Sequence, residues 1–195
     1  MVDDNKSEVK TSLLEYEVSL LYAIRRRKDQ NPDKKEKDLL FRQIVKDEDV
    51  DLKILKERVK KHKGVWRIYK TINKRDTRKA MIDLNLRLTE DRNCDLANRI
   101  ESIWKTCLMQ PKNKTTNYIL LDIDTKDNEL VTEIINIIES TEIKYLVKET
   151  PNGFHIVVYH TKENPFDTRL IRKLNYDNIE IKKDALLFRE IINIV

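Results

Sequence analysis

The chain has 195 residues, 39% of them hydrophobic, which is enough to bury the core of one globular domain or two small ones without disulfide or metal staples. Its charged fraction is 37%, and 39 Lys and Arg against 34 Asp and Glu leave a formal charge of +5, a field that permits a nucleic-acid partner without demanding one. The two glycines, Gly64 and Gly153, exclude a Gly-rich phosphate loop and a dinucleotide fingerprint, and no stretch approaches the roughly 20 apolar residues of a membrane helix.

From residue 6 to 28 the apolar positions Val9, Leu13, Leu14, Val18, Leu21 and Ile24 recur at three- and four-residue steps and predict an amphipathic helix ending in the basic run Arg25-Arg-Arg-Lys28. After the Asn31-Pro32 break, two shorter helices are expected through Leu39, Leu40 and Ile44 and through Leu52, Ile54, Leu55 and Val59, closing in Lys60-Lys-His-Lys63. Residues 1–62 therefore read as a helical, basic module. Val65 to Ile72 alternates, with Trp66 and Ile68 opposite Arg67 and Tyr69, and reads as a half-buried strand. Helical periodicity returns over 76–92 and 94–109, and Pro111 with its polar sequel makes a linker. The remainder predicts strand 118–124, helix 128–140, strand 143–149, strand 154–160, helix 166–174 and strand 178–188, a β-α-β-β-α-β order. The fold class is α+β. The expected division is 1–62, then 63–195, the latter split into 63–115 and a sheet over 116–195.

Cys94 and Cys107 lack any partner set for zinc and read as packing residues. With no apolar leader, a reducing cytoplasm is the expected setting, without membrane contact, and the Lys, Asn and Ile bias suits a phage or other mobile-element gene in a bacterial host.

The chemistry sits in Tyr118-Ile-Leu-Leu-Asp-Ile-Asp124. Strand alternation puts Asp122 and Asp124 on one face with their Cα atoms about 6–7 Å apart, close enough to share one hydrated divalent ion or an adjacent pair. Thr150-Pro-Asn-Gly153 suits a tight turn, with Gly153 where a positive φ is needed, so the flanking strands should form a hairpin that carries His155 beside the turn. His155, Val157 and Tyr159 share a face, and the question is whether it is the acidic one.

Together, Ile119-Leu-Leu-Asp-Ile-Asp124 and Gly153-Phe-His155 resemble the archaeo-eukaryotic primase superfamily, whose catalytic half carries an hhhDhD strand (h, hydrophobic) and a hairpin with a small-x-His motif. The resemblance spans roughly residues 64–195 and implies a sheet like that of RNA-recognition motifs. It implies that Asp122 and Asp124 hold Mg²⁺ or Mn²⁺ and that His155 contacts the phosphates of a nucleoside triphosphate. A third acid is expected on a later strand, either Glu180 or Asp184, and the apolar run and Arg189 after Asp184 resemble the family pattern more. Arg67, Tyr69, Asn73 and Arg75 would face template or nucleotide. A nucleic-acid strand and a replication partner such as a helicase are the implied associates. Two other readings stand beside this one. Asp122-Ile-Asp-Thr125 also has the letters of a haloacid-dehalogenase-like phosphatase, and an inactive nucleic-acid-binding relative of the primases keeps the same motifs.

Overall fold

The computed structural model describes residues 16–30, 38–90, 98–174 and 176–194. Its first element, Glu17–Arg25, is a strand (β1), not the predicted helix; the earlier part of that expectation, from Val9 to Leu14, lies outside the described residues. β1 is flanked by β2 (Leu39–Val45) and β3 (Gly64–Thr71), both antiparallel to it. Val18, Leu20 and Tyr22 pack on one side with Ala80, Leu84, Ile103 and Leu108, while Leu21 and Ala23 pack on the other with Leu55, Val59, Trp66 and Ile68. A strand buried on both faces carries an unbroken apolar run, and within such a run Val18, Leu21 and Ile24 fall at helical spacing by accident. The same ambiguity mis-assigns Leu39 to Ile44. The third expected helix is present as α1 (Glu48–Val59), started by Asp47, whose carboxylate accepts from the amides of Asp49 and Val50 at 3.1 Å each.

The helical module over 1–62 is therefore corrected: β1 and β2 belong to the same sheet as β3, and a boundary at 62/63 would cut through it. β4 (Arg75–Asp76) pairs with β1, and α2 (Thr77–Glu90) and α3 (Ile100–Leu108) cover the face opposite α1. Cys107 is buried among them, whereas Cys94 lies outside the described residues.

The second sheet has the order β6-β7-β5-β8, from β5 (Ile119–Ile123), β6 (Tyr145–Glu149), β7 (Phe154–Val158) and β8 (Ile179–Lys182), all neighbours antiparallel. With α4 (Asn128–Glu139) and the short α5 (Arg169–Arg172) the element order is β-α-β-β-α-β. Leu130, Val131, Ile134 and Ile138 of α4 pack on Ile119, Leu121, Ile123, Ile156 and Val158, each fully buried aliphatic contributing roughly 1.5–3 kcal/mol.

The strand expected over 178–188 is broken in two. After β8 the chain turns at Lys183 and Asp184, and β9 (Leu186–Ile194) leaves for the five-stranded sheet, where it pairs with β3. Residues 116–195 are thus shared between both sheets. Asn73 pins the crossing: its Nδ2 donates to the carbonyls of Tyr118 and Lys183, and its Oδ1 accepts from the Tyr118 amide and the Thr116 hydroxyl. Ile72, Leu120, Val157 and Leu187 fill the space where the sheets meet. The result is a mixed α/β fold with antiparallel sheets, and among the described residues no helix is long and apolar enough to cross a membrane.

Candidate active site between the sheets

Opposite residues of an antiparallel pair project to the same face, and Asp122 stands opposite His155 on β7 and Glu180 on β8. The histidine face is therefore the acidic one. Leu120, Asp122, Val157 and His155 line the side turned toward the other sheet, while Ile119, Leu121 and Ile123 serve the α4 core.

A cleft of 540 Å³ opens there. Asp122, Asp124, His155 and Lys182 form one wall, with the turn at Thr150, Pro151 and Asn152 at its rim. Arg26, Arg67, Tyr69 and Phe188 come from the five-stranded sheet and its flank, and Asp184 lies on the crossing between the two.

His155 is buried, 7% exposed, and both ring nitrogens are engaged. Nδ1 accepts from the Phe188 amide at 3.1 Å, which leaves the ring proton on Nε2, 3.1 Å from Oδ1 of Asp122. The second carboxylate oxygen takes the Lys182 ammonium at 2.6 Å, and Lys182 also reaches Glu180 at 2.8 Å. The hydrogen bond from His155, seconded by Lys182, outweighs burial and holds the Asp122 carboxyl down to about 2. Asp122 is a fixed negative charge. Asp124, one step beyond the paired part of β5, is exposed; its amide bonds to the Asn178 carbonyl at 2.9 Å, and its carboxylate has no protein partner among the described residues.

Gly153 lets the hairpin close on this strand end. A Cβ there would lie 1.9 Å from the Ile123 carbonyl oxygen and 2.8 Å from backbone atoms of Thr125, so the requirement is space. The expected positive φ is absent, because Gly64 is the glycine that adopts one, at 122°. The turn is closed instead by the Thr150 amide on the Gly153 carbonyl and the Gly153 amide on the Thr150 hydroxyl.

Of the other expected site residues, Arg67 and Tyr69 reach the cleft. Arg67 is gripped in bidentate fashion by Asp29 at 2.8 Å on both oxygens, and Arg26 binds the same carboxylate at 3.0 Å. Asp184 reaches the cleft tied to Arg75, a fully buried guanidinium. Glu180 is level with Asp122 yet projects to solvent outside the cleft lining. Asn73 is buried with its amide group saturated by the contacts at the sheet crossing, so it holds the fold and offers nothing to a nucleotide. Arg189 pairs with Glu48 at 2.7 Å, away from the cleft, at the unpaired position where the β3–β9 register slips.

Sequence reasoning missed Lys182, Arg26 and Asp29. Lys182 was within reach of parity, since it alternates with Ile181 as Glu180 does with Ile179. Asp29 carries no local signal for its bond to Arg67, which is 38 positions away, while Arg26 lies in the basic run Arg25-Arg-Arg-Lys28 and binds Asp29 three positions on.

Three carboxylates thus meet in one cleft, but each differs in freedom: Asp122 is held, Asp124 is open and Asp184 is neutralised. Among the described residues no group of three or more His, Cys, Asp or Glu side chains is gathered around a single metal position. Comparison of the chain with protein-family models gives no match, and comparison with curated proteins gives none either.

Proposed function

We propose that the cleft is the active site of a metal-dependent nucleotidyl transferase of primase-polymerase type, acting on nucleoside triphosphates and a nucleic-acid strand, with β5 to β8 as its RNA-recognition-motif-like catalytic sheet. The observation that carries this reading is the meeting of Asp122, Asp124 and His155 on one sheet face opposite Arg67, in a cleft that also receives Asp184.

The donor set suits a hard divalent ion. A site of this kind commonly rests on one or two carboxylates, with water and substrate phosphates completing the shell, so two aspartates suffice. Asp122 and Asp124 would hold Mg²⁺ or Mn²⁺, which supplies the positive charge that a transferring phosphoryl group needs. Where the resemblance implies a contact from His155 to the phosphates, both of its ring nitrogens are engaged; seated on the Phe188 amide, it instead aims the Asp122 carboxylate into the cleft and fixes its ionised form. Lys182 now occupies one oxygen of that carboxylate and is the cation an entering divalent ion would displace. Arg67 and Arg26 against Asp29 leave one net positive charge facing the acidic wall, placed to receive triphosphate oxygens.

One observation favours the phosphatase reading: Lys182 bonds Asp122, as a phosphatase lysine would. Among the described residues the further acidic pair such an enzyme needs does not line the cleft, where the third acid, Asp184, is committed to Arg75. The experiment is incorporation of labelled nucleotide on primed and unprimed strands with Mn²⁺. The wild-type chain is expected to incorporate and the Asp122→Ala/Asp124→Ala variant to fall to background. Equal incorporation by both would sink the proposal, and release of inorganic phosphate from a simple phosphomonoester without incorporation would favour the phosphatase.

A further inference from the structure

At the edge of the five-stranded sheet opposite β9, the strand β2 runs along a second groove of 590 Å³. Arg42 of β2, Arg58 and Lys61 from the end of α1, and Arg99 and Lys105 from α3 and its start all line it. The single acid among the lining residues is Glu101, which is shared between Lys105 and, at 3.8 Å, Arg58. Five cations therefore face one carboxylate. Lys61 and Arg99 are exposed and have no ion-pair partner among the described residues, while Arg42 reaches Ser102 at 3.4 Å and the hydroxyl of Tyr22, which stands opposite it on β1.

Helix electrostatics accounts for part of this. Cations suit the C-terminal end of a helix in any protein, which covers Arg58 and Lys61 at the end of α1. It does not cover Arg99, which stands at the positive end of α3, nor Arg42 on an edge strand. Their convergence on the groove calls for an anion.

The shape selects among anions. Phe41 and His62 line the groove with their ring centroids 5.4 Å apart, and Trp66 backs Phe41 at 5.6 Å. A half-buried aromatic surface beside a row of cations is the arrangement that tracks a single strand, cations on phosphates and rings against bases. An added peptide strand is disfavoured, because the Lys105 ammonium donates to the Arg42 carbonyl at 2.7 Å and blocks the edge of β2 at its middle.

We propose that this groove is a second binding site, separate from the cleft, for the phosphodiester backbone of a single-stranded nucleic acid. It rests on charge and shape at β2, α1 and α3 and stands without the nucleotidyl-transfer reading.

The test is fluorescence anisotropy of the full chain with a labelled oligothymidylate, at about 50 and about 200 mM salt. Arg58→Ala/Lys61→Ala/Arg99→Ala removes three exposed side chains. It is expected to weaken binding about tenfold and to flatten the slope of log K against log salt by about 2. Lys53→Ala/Lys162→Ala/Lys173→Ala removes the same charge from exposed positions elsewhere and should leave affinity within about twofold, with an unchanged slope. Equal losses in the two triple variants would overturn the proposal. So would groove-dependent binding to phosphatidylserine vesicles with no binding of the oligonucleotide.

Discussion

The two sheets solve the same problem in opposite ways. The five-stranded sheet is covered by α1 on one face and by α2 and α3 on the other, so its central strand β1 is apolar on both sides. The four-stranded sheet is covered by α4 on one face; its other face carries Leu120 and Val157 where the sheets touch, His155 bonded across to the Phe188 amide of β9, and Asp122 and Lys182 where the sheets part. A polar row can survive on a buried sheet only where a second body stops short of it. The cleft is that gap, and its charge is divided: acids from one sheet, arginines from the other sheet and its flank.

If the acidic sheet owes its cleft to local backbone fit, the largest effect should come from the hairpin. Gly153→Ala drives a methyl group into the Ile123 carbonyl and Thr125 backbone, atoms that cannot swing aside, and should cost about 3 kcal/mol in denaturant unfolding. A loss below about 0.5 kcal/mol would mean that the hairpin does not sit on β5 as described.

The link between the sheets comes next. His155→Ala strands the buried Phe188 amide and removes a donor from Asp122, and about 2 kcal/mol of stability should go with it. A melting temperature equal to wild type would break the account of His155 as the joint.

The smallest stability effect is pH dependent. The Asp122 carboxyl is depressed from its ordinary 3.8 to about 2, so its contribution is present above the unfolded value, near 4, and is lost as pH falls toward 2. With allowance for its partial exposure this is about 1.5 kcal/mol. Asp122→Asn should therefore be less stable than wild type by that amount at pH 6, and the gap should close between about pH 4 and 2. A gap that stays constant over this range would show that the histidine and lysine contacts do not hold the charge.

What could be read from the sequence divides along the same line as the sheets. β5, β7 and the hairpin announce themselves because one face is apolar and the other carries acids and a histidine, so alternation reveals both strand and face. β1 conceals itself because both faces are apolar. The Glu180 or Asp184 question could not be settled by parity because the chain turns between them and changes sheets, so the two are not on one strand. The ion pairs that join Asp29 to Arg67 and Asp184 to Arg75 link distant segments and leave no local pattern.

The central claim is that Asp122 and Asp124 together hold a divalent ion in the cleft. Titration of Mn²⁺ followed by its electron paramagnetic resonance signal, with a nucleoside triphosphate present at a fixed concentration, tests it directly. The wild-type chain should deplete the free Mn²⁺ signal beyond what the triphosphate alone depletes, and Asp122→Ala/Asp124→Ala should add nothing to the triphosphate. Identical depletion by the two proteins would contradict the account.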